Sequence, residues 1–307
     1  MADAPRIAVA PMDHPNCAAM VNAVVAGGGV IADAADADAL VWCAATDADA
    51  LRAGVASAPN ATWVQLPWAG IEPFVEALDN EHTWTCGKGV YAEPVAEMVL
   101  ALALAGFRGL DLYAPAQKWE REVGQNLAGA NVVILGGGGI TDALLVLLAP
   151  FDCRVTVLRR HPRPMAGVAH VGTLADLDAV LPDADLVVLA LALTPETKGV
   201  IGVSQLARMK STAWIVNVAR GCHIDTDALV DALDRNVIGG AALDVTDPEP
   251  LPDGHPLWAL PNCIVTPHVA NTREMGRVVL ARRVTENVRR FGAGEPLLGL
   301  VDVELGY

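Results

Sequence analysis

Three polar side chains follow directly on apolar runs, and together they could act on a small carboxylic acid. Arg220 closes Asn217-Val218-Ala219-Arg220-Gly221, and Glu249 lies in Leu243-Asp244-Val245-Thr246-Asp247-Pro248-Glu249-Pro250. His268 ends Thr266-Pro267-His268. A guanidinium presents a planar fork that matches a carboxylate. An imidazole titrates near neutral pH and can deliver a proton, and a neighbouring carboxylate can hold and tune it. Each residue taken singly has an ordinary reading. Arg220 could cap a strand end, Glu249 could be a loop acid in a Pro-rich turn, and His268 is one of seven histidines. Their shared position after strand-like runs favours a site, because ligands bind at the carboxyl ends of strands in open parallel sheets. Cys222 lies beside them, but no residue is placed to activate its thiol.

A second constellation is the glycine-rich turn Val132-Val133-Ile134-Leu135-Gly136-Gly137-Gly138-Gly139-Ile140-Thr141. Gly136 permits a tight turn, and Gly138 lets the backbone approach a pyrophosphate whose charge then sits at a helix N-terminus. Gly139 and Ile140 complete the turn before the helix expected at 142–148. Thr141 replaces the third glycine of the dinucleotide fingerprint. The next apolar run, 155–158, ends in Arg159-Arg160-His161-Pro162-Arg163. An NAD-binding unit places a ribose-binding carboxylate about 20 residues beyond the glycines, and here guanidinium groups stand instead. Arg159 and Arg160 could hold a 2′-phosphate, so NADP is expected, with NAD possible.

The elements that must position these residues are legible as alternating patterns. Strands are expected at 7–10, 39–43, 62–66 and 83–86, with helices at 17–26 and 71–78. A long helix follows at 94–113. Six further strands are expected at 131–135, 154–158, 185–189, 213–217, 241–245 and 263–266, with helices at 142–148 and 225–233 among the connections. The last helix covers 273–291. Strands joined by crossover-length segments describe doubly wound α/β sheets.

Composition agrees with a large, buried α/β core: 307 residues, 53% of them hydrophobic and only 5% aromatic. The net charge of −15 repels phosphate backbones, so nucleic acid is a poor partner. Against that background the basic turn at 159–163 is informative. Six scattered cysteines without a CxxC pair point to reduced thiols, no metal site and a cytoplasmic location. No secretory signal is read at the start, and the apolar stretch 95–105 is too short to span a membrane.

Taken in order, the motifs resemble those of the D-isomer-specific 2-hydroxyacid dehydrogenase family over nearly the whole chain. The match is carried by the glycine turn, Leu193-Thr194-Pro195-Glu196-Thr197-Lys198-Gly199, Val218-Ala219-Arg220-Gly221 and Ala242-Leu243-Asp244-Val245. Pro248-Glu249-Pro250-Leu251-Pro252, Thr266-Pro267-His268 and the tail 301–307 continue it. Upstream, Trp68-Ala69-Gly70-Ile71 and Val95-Ala96-Glu97 look like the family's substrate loop and hinge helix.

The resemblance implies a Rossmann dinucleotide-binding domain (96–272) inserted into a smaller flavodoxin-like α/β substrate domain (1–95 plus 273–307). The active site would lie in the cleft between them. It implies reduction of a small 2-keto acid to the D-2-hydroxy acid, by a homodimer. Arg220 would grip the substrate carboxylate and polarise the keto oxygen, and backbone N–H groups near Ala69 and Gly70 would complete that site. His268 would donate the proton, with Glu249 holding the imidazole in its proton-donating form. Asp244 would face the nicotinamide carboxamide, and Ala192, Val218 and Ala270 would line the cofactor. Thr141, Gly139 and Ala192 depart from the family pattern around the cofactor. Tyr91 stands where the family often has Asn, and with Trp68 it would reshape substrate access. A second reading is a nucleotide-sensing, corepressor-like binding protein on the same fold. Formate oxidation is disfavoured by Glu rather than Gln at 249.

Overall fold

The computed structural model describes residues 4–44 and 47–304, so 305–307 of the tail matched above lie outside the described residues. The chain divides into two compact units, Met1–Tyr91 with Thr272–Tyr307, and Ala92–Asn271.

The first unit begins with β1 (Arg6–Ala10), α1 (Cys17–Ala26), β2 (Val30–Ile31) and β3 (Ala39–Trp42). It continues with α2 (Ala48–Ala56), β4 (Trp63–Gln65) and β5 (Thr83–Thr85). All pairs are parallel in the order β2-β1-β3-β4-β5, the flavodoxin-like arrangement. The strands are apolar because both faces are covered. On one face Met20 and Val24 of α1 meet Leu280, Val284 and Val288 of the C-terminal helix Arg273–Ala293. On the other, Leu51, Ile71, Phe74 and Trp84 close a second core.

The second unit runs α3 (Ala92–Phe107), α4 (Leu110–Tyr113), β6 (Asn131–Leu135), α5 (Gly139–Leu148) and β7 (Arg154–Leu158). Then come β8 (His170–Gly172), α6 (Leu177–Val180), β9 (Leu186–Leu189), α7 (Val203–Leu206) and β10 (Trp214–Asn217). It ends with α8 (Thr226–Asp234), β11 (Gly240–Leu243) and β12 (Cys263–Val265). Seven parallel strands lie in the order β12-β11-β10-β9-β6-β7-β8. The order reverses at β6, so β7 and β9 flank it and a crevice opens at its carboxyl end. This is the doubly wound Rossmann arrangement.

Several elements differ from the sequence expectation for physical reasons. The expected helix at 94–113 is broken at Gly109, whose φ of +64° ends the α-helical path. The segment at 71–78 forms a 3-10 helix, Glu72–Ala77, with Pro73 in its first turn. β2 and β8 carry no strand signal in the sequence because they are short edge strands with little apolar alternation. α2 is likewise without a clear apolar stripe. It buries only Leu51, and it starts where the Asp47 side chain accepts from the Ala50 N–H.

Candidate active site

The second unit gathers the strand-end residues picked out by the sequence. β10 ends at Asn217, which is fully buried and shapes the turn beyond it. Its side-chain amide donates to Arg220 O at 2.9 Å, and its side-chain oxygen accepts from Ala219 N at 3.0 Å. Arg220 is thereby presented from a fixed turn in extended backbone, and its Nη1 also donates to Ala219 O at 2.8 Å. Gly221 packs against the backbone of Thr246 and Asp247, where a Cβ would collide with both. Only glycine lets the Arg220 turn sit against the loop that carries Glu249.

That loop is pinned by three contacts. The Thr246 hydroxyl donates to Pro248 O at 2.9 Å, the Thr226 hydroxyl to Asp247 O at 2.7 Å, and the Cys222 thiol to the Asp247 carboxylate at 3.1 Å. Cys222 is thus a structural contact. That hydrogen bond, with burial and the Asp247 charge, raises its pKa, which keeps it a thiol.

His268 and Glu249 meet through Nδ1 and Oε1 at 2.6 Å, with both side chains about half exposed. An ionised carboxylate can only accept, so Nδ1 carries a hydrogen and Nε2 becomes the nitrogen that can deliver a proton. His268 has a φ of +53°, rare for a non-glycine residue. Asp244, only 1% exposed, holds it there. The Asp244 carboxylate accepts from the Thr266 hydroxyl at 2.6 Å and from the N–H groups of Val269 and Ala270 at 2.9 Å each. Its main-chain oxygen accepts from His268 N, also at 2.9 Å. Asp244 therefore organises the turn that carries the imidazole, and both of its carboxylate oxygens are engaged there.

The glycine turn fits a dinucleotide. Gly136 has a φ of +111°, and a Cβ there would strike the Ala190 backbone beside β9. At Gly138 a Cβ would meet nothing within 4 Å, and among the described residues no side-chain cap is made at this helix start, so the turn leaves room for a group to approach the N-terminus of α5. Gly139 begins α5 and Ile140 follows in its first turn. Thr141 is fully buried, and its hydroxyl donates to Gly136 O at 2.9 Å. The threonine thus replaces the usual glycine without leaving a polar atom unpaired.

β7 lies beside β6 with Leu158 opposite Leu135, which brings Arg159 next to the glycines. Its side chain lies over Gly137, and Nη1 contacts Met165 Sδ at 3.5 Å. Arg160 is exposed on the same turn. The Ala192 turn is held by the Thr197 hydroxyl, which donates to Ala192 O at 2.8 Å. Val218 and Ala270 are nearly buried at the same strand ends.

Residues 98–270 match the family model described as D-isomer specific 2-hydroxyacid dehydrogenase, NAD binding domain. The chain belongs to the D-isomer-specific 2-hydroxyacid dehydrogenase family. This dehydrogenase is 40% identical over 256 residues to an uncharacterized protein from the proB 3′ region of Corynebacterium melassecola, covering 81% of this chain and 84% of that one. It is 34% identical over 227 residues to a glyoxylate reductase of Thermofilum pendens, covering 71% and 67%. The D-isomer specific 2-hydroxyacid dehydrogenase of Xanthobacter autotrophicus Py2, solved in complex with NADPH and MES, superposes with a TM-score of 0.84. That pair shares 29% identity over 99% of this chain and 100% of the other.

Two features of the dehydrogenase were not singled out in the sequence. One is Asn217, which reads as the end of a strand until its side-chain bonds are seen. The other is His223, fully buried three residues beyond Arg220. Its Nε2 lies 3.4 Å from Ala192 O, and its Nδ1 has no partner among the described residues. Burial lowers the His223 pKa, and the Arg220 charge adds to that. The folded protein therefore holds His223 neutral. In the unfolded chain it takes up a proton below about pH 6.5, so folding stability is expected to fall as pH drops through that value toward the lower folded one. His223→Leu removes this titration. Thermal unfolding between about pH 7 and pH 5 should show a shallower loss of Tm in the variant than in the wild type. Equal slopes would mean that His223 is not buried neutral.

Among the described residues no helix is long and apolar enough to cross a membrane.

Proposed function

We propose that this dehydrogenase reduces a small 2-keto acid with NADPH to the D-2-hydroxy acid, using Arg220, Glu249 and His268. The observation that carries this reading is the 2.6 Å Glu249–His268 pair at a strand end. The loop bearing Glu249 packs directly on the turn that presents Arg220. In this reading Arg220 binds the substrate carboxylate through its fork and draws charge toward the keto oxygen. Ala69 and Gly70 would supply backbone N–H groups to the same carboxylate. His268 donates the Nε2 proton to the keto oxygen, and Glu249 keeps the ring oriented through Nδ1. The reduced nicotinamide, when bound, supplies the hydride.

Gly136, Gly138, Gly139 and Ile140 would hold the pyrophosphate, with Ala192, Val218 and Ala270 along the nicotinamide half. Asp244 would act through the turn it organises. The glyoxylate reductase relative supports a small keto acid as substrate, and supports an enzyme over a corepressor-like binding protein. A panel of keto acids assayed with NADPH and with NADH tests this directly. Turnover of glyoxylate or hydroxypyruvate is expected, and no turnover of any keto acid would reject it.

NADPH preference rests on Arg159 and Arg160. A 2′-phosphate beside Arg159 gains charge-assisted hydrogen bonds that a ribose hydroxyl cannot match. Arg159→Asp reverses that charge and offers a ribose acceptor. The ratio of kcat/KM with NADPH to that with NADH should fall by roughly 10²-fold or more, about two charge-assisted contacts. A wild type that favours NADH, or a ratio that does not move, would make these arginines ordinary surface residues.

A further inference from the structure

In the first unit, the turn 67–70 after β4 packs on the segment 86–91 after β5, and that segment binds three successive carbonyls of the turn. The Tyr91 hydroxyl donates to Pro67 O at 2.6 Å. The Gly87 N–H donates to Trp68 O at 2.7 Å, and the Cys86 thiol points weakly at Ala69 O from 3.7 Å. None of these peptide bonds is cis. In a trans peptide the carbonyl and the following N–H point in opposite directions. The N–H groups of Trp68, Ala69 and Gly70 therefore face away from 86–91. Among the described residues none of the three donates a hydrogen bond. Successive N–H groups presented this way form a concavity suited to an anion.

The segment behind the turn is itself fixed. Arg283 of the C-terminal helix donates to Lys88 O at 3.1 Å and to Cys86 O at 3.4 Å, and Cys86 N donates to Gly299 O at 2.8 Å. A Cβ on Gly87 would lie 2.8 Å from the Tyr91 ring and 3.1 Å from the Trp68 carbonyl carbon, so the two segments touch. The Trp68 ring rests on Tyr91 with centroids 6.1 Å apart. Tyr91 is 8% exposed, and burial raises its pKa and that of Cys86, which keeps both protonated as donors.

We propose that Tyr91 is a positioning residue for the substrate carboxylate, its hydroxyl clamping Pro67 O so that the Ala69 and Gly70 N–H groups form a ready-made anion seat. This rests on the functional reading above. Tyr91→Phe keeps the ring and its packing on Trp68 while leaving a buried carbonyl unpaired. Loss of one such bond corresponds to about tenfold in an equilibrium. With the purified full chain and NADPH, KM for glyoxylate and the inhibition constant of oxamate are both expected to rise about tenfold. The change in kcat should be less than about threefold, and the dissociation constant for NADPH should be unchanged. Cys86→Ala should shift the same two constants in the same direction by less, and Cys86→Ser should restore them, because a hydroxyl still donates.

Unchanged KM and oxamate inhibition in folded Tyr91→Phe would overturn the clamp. So would a loss confined to kcat. If Tyr91→Phe does not fold, the Cys86 pair decides, and equal constants for Ala and Ser would also overturn it. A wild type inactive on every keto acid would instead reject the functional reading itself.

Discussion

Replacing His268 with alanine is expected to lower kcat/KM for keto-acid reduction by about 10²–10⁴-fold, the usual contribution of a positioned general acid. NADPH affinity should change little, because the imidazole is tied to Glu249 and follows β12, whereas the glycine turn follows β6. The measurement pairs steady-state kinetics with NADPH binding followed by fluorescence. A variant that retains near wild-type turnover would remove His268 as the proton donor. Loss of NADPH binding in parallel with turnover would assign it to the cofactor instead. The left-handed backbone at His268 gives a further reason for a large effect. A side chain held at φ +53° by Asp244 and the 266–270 turn is placed by the fold rather than by its own preference.

Arg220→Lys should be nearly as damaging, lowering kcat/KM by roughly 10²-fold despite conserving charge. Lysine cannot reproduce a planar pair of donors facing a carboxylate. The Asn217 and Gly221 contacts fix where the arginine leaves the backbone, so a shorter, single-point cation cannot regain the lost bond by moving the turn. The loss should appear with every keto acid tested and be smaller for an aldehyde without a carboxylate. Wild-type efficiency on all of them would take Arg220 out of substrate binding.

Much of this arrangement was legible because strand ends carry it. The short, β-branched apolar runs within 131–135 and 213–217 read as buried parallel strands, and what followed each of them fell at the carboxyl edge of the sheet. Gly136 was readable because a tight turn demands it, and its φ of +111° bears that reason out. Less legible were residues whose work is done by bonds between distant segments. Asp244 reads as a cofactor-facing carboxylate, yet its oxygens are taken by residues 22 to 26 positions onward, a pairing no local pattern reveals. Tyr91 stood out only as an unusual aromatic, because its partner, Pro67, is 24 positions away. His223 lay hidden beside Arg220. A single histidine in the short turn Gly221-Cys222-His223-Ile224 carries no periodic signal, and only tertiary packing buries it.

The most direct test is the stereochemistry of the product made from hydroxypyruvate and NADPH. Chiral chromatography of the product should show D-glycerate alone, formed in equal amount to the NADPH consumed, and none with His268→Ala beyond a trace. L-glycerate, a racemic product, or NADPH that is bound but never oxidised would contradict reduction by this site.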